Sequence, residues 1–197
     1  MIELEKTDEL ISKILSEKAI ILNLPEESEA EGCFETLFSF MYALGDNNEA
    51  QKIIRDIIAS LTDSKEKSVL RLKALTSLFN LTFSGDSKFE VVLAIFAYAL
   101  ETEQSNQITH FYAKYEDWST TWSLGKSQQT ELLKSMTFAL QQEGLTDIAL
   151  AAMTKLFNTC KDDKYSVDVE ELISKALLSA IQSPISAFAD RAALLEV

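Results

Sequence analysis

The sequence predicts an all-α chain, a helical-repeat solenoid (HEAT- or tetratricopeptide-like) of antiparallel helix pairs, and three observations carry that expectation. Only 5 Gly and 2 Pro occur in 197 residues, too few for the tight turns of sheet hairpins. Apolar residues recur at i, i+3, i+4 and i+7 instead of alternating, the period of a helix with one buried face. Predicted helix starts fall near residues 32, 47, 66, 88, 108, 128, 147, 167 and 184. Helix pairs therefore recur every 35 to 42 residues or so, roughly the period of helical repeats.

Residues 7 to 22 read as a first helix with Thr7 as a candidate N-cap, and Asn23 to Glu31 as an acidic loop. From Cys33 the positions Phe34, Leu37, Phe38 and Met41 share one face, and Gly45 suits a left-handed C-cap. Asp46 to Asn48 can cap a third helix whose face is Ile53, Ile54, Ile57, Ile58 and Leu61. Two capping boxes follow. Asp63 to Glu66 opens a helix through Val69, Leu72, Leu75, Leu78, Phe79 and Leu81, and Ser87 to Glu90 opens the next, with Gly85 between them. Ile108, Phe111, Tyr112, Tyr115, Trp118 and Trp122 form one aromatic stripe at spacings of three and four, predicting a helix over 108–122 that Gly125 ends. Ser127 can cap a helix with Leu132, Leu133, Met136 and Leu140 on one face and Gly144 as terminator. Residues 146 to 160 place Ile148, Ala152, Leu156 and Phe157 together. After the charged loop Lys161 to Lys164 come an amphipathic helix from Val167 to Ile181 and a last segment through Phe188 and Leu194 that opens at Ser183 and Pro184.

Charge narrows the function. With 18 basic and 31 acidic side chains the chain carries −13, which repels phosphate and anionic lipid. Direct nucleic-acid or membrane binding is not expected. Ten acids (Glu3, Glu5, Asp8, Glu9, Glu17, Glu26, Glu27, Glu29, Glu31 and Glu35) face three lysines in the first 35 residues, more than half of the excess. Such a run reads first as a solvated face and second as a site for a basic partner. Cys33 and Cys160 sit far apart among apolar residues without a signal peptide ahead of them, which predicts a reduced, cytoplasmic protein. The longest apolar run, Phe89 to Leu100, is interrupted only by Glu90. It is too short to cross a bilayer, which takes roughly 17–25 residues, and reads as a buried helix.

No catalytic, cofactor-binding or metal-binding residue is predicted. Every glycine stands alone near a helix end, whereas a phosphate-cradling loop needs several close together. Two distant cysteines and His110 cannot complete a zinc site without carboxylates. His110 could act as a general base, but no pattern gives it a nucleophile and an orienting acid, so an enzyme using His110 or Cys33 is the weaker alternative. Trp118 and Trp122 could stack on bases, yet Glu116 and Asp117 adjoin them and few cations interleave. Packing in the core or between helices is the preferred reading. No individual partner-binding residue is predicted.

At Arg71-Leu-Lys-Ala-Leu-Thr-Ser-Leu-Phe-Asn-Leu81 the chain resembles the Arg-Leu-x-x-Leu-x-x-Leu-Phe-Asn-Leu stretch of the subunit m family of translation initiation factor three. Trp118, Trp122-Ser-Leu124, Lys126, Leu132-Leu133, Ala139-Leu140, Ala151-Ala-Met153, Leu156, Ala176-Leu177, Pro184 and Phe188 are similar to later family positions in the same order. The likeness covers residues 65 to 190, and residues 1 to 60 match in helical character alone. It implies an acidic N-terminal helix and loop over 1–30, then a right-handed helical-repeat arm over 31–197 that precedes a PCI winged-helix module absent from this chain. It also implies a non-catalytic scaffold without cofactors, bound to PCI- and MPN-type initiation factor three core subunits and through them to the small ribosomal subunit. The arms of signalosome and proteasome-lid PCI subunits are similar and form the alternative. An adaptor holding basic peptide segments on its acidic face is a third reading.

Overall fold

Leu, Ile, Ala and Glu dominate the predicted helices, and these residues lose little side-chain freedom or bury well on a helix face. In the computed structural model the structure describes residues 2–44 and 48–160, together with Ser174. Those residues hold α-helices and 3-10 turns and no strand. The helices are α1 (Ile2–Ser16), α2 (Lys18–Leu22), α3 (Glu27–Leu44), α4 (Asn48–Thr62), α5 (Ser68–Leu81) and α6 (Gly85–Glu101). After the 3-10 turns Ser105–Gln107 and Thr109–Lys114 come α7 (Tyr115–Thr121), α8 (Lys126–Gln142) and α9 (Thr146–Cys160). The chain divides into two compact units, Met1–Thr102 and Glu103–Val197.

In the first unit α1 packs on α3, α3 on α5, and α4 on both α5 and α6. Neighbours two along the chain therefore touch as well as consecutive ones. Its core is Ile11, Phe34, Leu37, Phe38, Ile53, Ile57, Leu61, Leu75, Leu78, Ile95 and Phe96, all buried. The isoleucine face of α4 and the phenylalanine face of α3 are as expected from their spacing. α5 and α6 bury residues nearly all round, including Leu70, Leu72, Ala74 and Phe79 on α5 and Phe89, Val91, Val92, Tyr98 and Ala99 on α6. In the second unit α8 packs lengthwise on α9 and on both 3-10 turns, burying Leu132, Leu133, Met136, Leu140, Ala152 and Leu156.

Several boundaries differ from the sequence expectation, each for a local reason. The first helix breaks at Glu17 into α1 and α2, and Thr7 lies inside α1, which the helix-favouring residues before it extend backwards. The acidic loop is shorter than expected, because Glu27 and Glu29 lie in the first turn of α3, where their charge complements the helix dipole. Neither capping box forms. α5 starts only at Ser68, after Lys67 in a left-handed conformation with φ 53°, and Asp63 is taken by distant cations. α6 starts at Gly85, two residues before Ser87, whose side chain is buried. Val69 and Ile148, expected on buried faces, are exposed at 46% and 43%.

The aromatic stripe is not one helix. Over Thr109–Lys114 the chain winds as a 3-10 turn, and only Tyr115–Thr121 is α-helical, consistent with the weak helix preference of Ile, Thr, His, Phe and Tyr in succession. Gly125, not Ser127, is the N-cap of α8, and its N–H donates to Gln128 Oε1 at 3.0 Å. Gly144 terminates α8 as expected, with φ +69°. Its N–H donates to the Gln141 carbonyl and that of Leu145 to the Leu140 carbonyl, both at 3.0 Å, the paired bonds of a Schellman ending. Gly45, the Met41 side chain and all expectations over 161–197 lie outside the described residues.

Candidate functional site

Three local arrangements in the described residues go beyond plain helix packing, two of them in the first unit. At the end of α4 the last carbonyls need donors. Arg71, buried on α5, reaches back with Nη1 to donate to the carbonyls of Ser60 (3.3 Å) and Leu61 (3.0 Å) and to Asp63 Oδ1 (2.8 Å). Lys18 on α2 donates to the Ser60 carbonyl at 2.8 Å and to Asp63 Oδ2. Tyr98 on α6 closes the group, its hydroxyl donating to the Ser64 carbonyl at 2.8 Å. The hydrogen bond from Lys18 holds the Asp63 carboxyl below its ordinary range, burial opposes that, and the bond from Arg71 adds to it. The arrangement fixes four helices at one connection.

The second arrangement is an open apolar cleft of about 610 Å³ between α1, α2 and α3, walled by Ile14, Ile21, Leu37 and Phe40 with Cys33 and Glu29 among its lining. Phe40 is exposed at 38%. Gly32 also faces this cleft, and a Cβ there would meet nothing within 4 Å.

The third lies in the second unit. Trp122 stacks on Trp118 with ring centroids 4.9 Å apart and planes 15° from parallel, and Phe111 meets Trp118 edge-on at 5.4 Å. Lys155 on α9 sits 5.5 Å from the Tyr112 ring and 5.7 Å from that of Tyr115, and pairs with Glu116. Burial pushes the Lys155 ammonium down, and the hydrogen bond to Glu116 and the neighbouring tyrosines leave it raised on balance. Burial pushes the Tyr112 and Tyr115 hydroxyls up. The paired tryptophans thus stack along α7 and against the preceding 3-10 turn, with Trp118 buried and Trp122 half-buried.

The candidate catalytic groups lie in different units. Cys33 is exposed on α3, whereas His110 is exposed in a 3-10 turn with its ring edge-on to Phe111 at 4.4 Å. Cys160 is buried at the end of α9, 3.3 Å from Thr130 Oγ1. Among the described residues no three His, Cys, Asp or Glu side chains cluster as metal ligands, and no helix is long and apolar enough to cross a membrane. Arg71 and Asp63 are the residues that sequence reasoning missed. Arg71 opened the block behind the family resemblance, but its burial and its carbonyl partners are set by α4 and could not be read from spacing.

The comparisons with known proteins bear on the whole chain. It resembles an initiation factor subunit. Over 196 residues it is 27% identical to the eukaryotic translation initiation factor 3 subunit M of Pyricularia oryzae. The match covers 93% of this chain, and so reaches into the first sixty residues, where the family likeness rested on helical character alone. It covers 44% of the relative, so the chain spans less than half that protein's length. No family model matches the chain, and no solved structure matches it.

Proposed function

We propose that this chain is the N-terminal helical arm of a subunit m of translation initiation factor three, a non-catalytic, cytoplasmic scaffold that holds neighbouring core subunits and reaches the small ribosomal subunit through them. The observation that carries this reading is the similarity to the Pyricularia oryzae subunit M along 93% of the chain. The physical reading agrees with it. The buried residues build helix contacts, and the Arg71 to Leu81 block builds the core of α5. Packing of α3 on α5 and α4 on α6 fits a stack of helix pairs in which each repeat buries the face of the next, and we take that stack to be right-handed and its pairs antiparallel. We take residues 1–30 as its acidic N-terminal lead and 31–197 as the arm itself, leading to a PCI winged-helix module beyond this chain.

Affinity purification of the full-length parent protein at near-physiological salt, followed by mass spectrometry, tests the proposal. Initiation factor three subunits with the small ribosomal subunit are the expected recovery. Signalosome or proteasome-lid subunits in their place would transfer the arm to that class, and recovery of the protein alone would overturn the scaffold reading.

A further inference from the structure

The helices α1 and α2 are anchored more lightly than those that follow them. Of side chains 9–22, Ile11 and Leu22 are buried, whereas α5 buries seven residues and α6 eight. Leu10 and Ile20, both large and apolar, are exposed. Packing on α3 is also incomplete. The open cleft of about 610 Å³ lies in that contact, with Ile14 and Ile21 on one wall and Cys33, Thr36 and Phe40 on the other, and a Cβ at Gly32 would meet nothing within 4 Å. Unfilled space forfeits dispersion contacts on both of its walls, so little apolar attraction holds the two helices down.

Among the described residues, the polar contact from residues 9–24 to the rest of the unit is made by Lys18, whose Nζ donates to the Ser60 carbonyl at 2.8 Å and to Asp63 Oδ2. The far side of that contact does not depend on it. Arg71 also donates to the Ser60 carbonyl at 3.3 Å and to Asp63 Oδ1 at 2.8 Å. When Lys18 leaves, both acceptors keep a donor, and its ammonium passes from a side chain already 21% accessible into water. Release therefore loses the bonds of Lys18 alone and orphans no buried group, which is the expensive outcome in breaking a polar contact. Residues 23–26, between α2 and α3, lie outside any helix and allow the two helices to swing.

We propose that α1 and α2 form a strap over α3 that opens as a unit, with Lys18 as its latch and residues 23–26 as its hinge, while α3 to α6 stay folded. Local openings of this kind are drawn from elements with few buried contacts. Opening uncovers the α3 wall of Gly32, Cys33, Thr36 and Phe40, and the latch sets the fraction of time for which that wall is uncovered. The inference stands apart from which assembly the chain joins, because it rests on the anchoring of these two helices.

The test is amide hydrogen exchange read by mass spectrometry on the 197-residue chain, comparing the parent with Lys18→Gln and Lys18→Arg after correction for intrinsic rates. In the parent, α1 and α2 should exchange together and about tenfold or more faster than α5. Their exchange should also depend less on added urea than that of α5, because opening the strap exposes little surface. Lys18→Gln should speed exchange in α1 and α2 about tenfold further and leave α5 and α6 unchanged. Lys18→Arg, which keeps the cation, should stay within about threefold of the parent. Equal acceleration of all six helices in Lys18→Gln would make Lys18 an ordinary stability contact and overturn the latch. Unchanged exchange of α1 and α2 in that variant overturns it too, as does exchange of these helices at the rate of α5 in the parent. Exchange of α1 well ahead of α2 would divide the strap at Glu17 and overturn its opening as a unit.

Discussion

Arg71 shows how much one side chain can organise when it is buried beside a helix end. Its Nη1 alone meets two carbonyls of α4 and the Asp63 carboxylate, at the end of a longer, planar side chain whose reach lysine does not match. Arg71→Ala takes the side-chain donor from the Leu61 carbonyl and leaves Lys18 as the partner of Ser60 and Asp63. It should lower unfolding free energy by about 2–3 kcal/mol in urea titrations, and Arg71→Lys should recover only part of that loss. Asp63 adds a pH dependence. Its carboxyl titrates lower in the folded chain than in the unfolded one, so its contribution is complete above the unfolded value of about 3.9 and disappears as pH falls through the folded value. Asp63→Asn should be less stable than the parent at pH 7 and should show a flatter loss of stability below about pH 4, measured as urea midpoints at stepped pH.

At the scale of the element, caps and long-range partners compete for the same side chains. Gly144 is the clear local case. Its φ of +69° lies where a Cβ is disfavoured, and the site is sterically open, so the penalty is conformational alone. Gly144→Ala should cost about 1 kcal/mol and lower the thermal midpoint of the chain without altering its helix content by circular dichroism. This ending was legible in the sequence, as were the stripes of α3, α4 and α8, because a glycine after a periodic apolar run depends on its own segment. The starts of α5 and α6 were not legible. Asp63 and Glu90 look like members of capping boxes, yet Lys18, Arg71 and Arg55 claim them; the Arg55 and Glu90 pair joins α4 to α6 through contacts of 2.8 and 3.0 Å. No local pattern announces a partner that lies 35 residues away. The stripe over 108–122 failed differently. Spacings of three and four fit both a 3-10 turn and an α-helix over so short a span, and periodicity alone cannot choose between them.

Across the whole molecule, the candidate functional surface was legible only in part. The acidic excess of the first 35 residues was plain in the sequence, but which carboxylates remain uncompensated depends on Lys73 and Lys18 being engaged elsewhere. The cleft itself required α1, α2 and α3 to be placed together. The reach of Lys18 to its acceptors, 42 and 45 residues along the chain, also sets an order of events during synthesis. The first two helices leave the ribosome before Asp63 and Arg71 do, and cannot lock until those residues have emerged behind them. In that interval their apolar faces lie open, and the dense negative charge of the same segment keeps nascent chains apart while they wait.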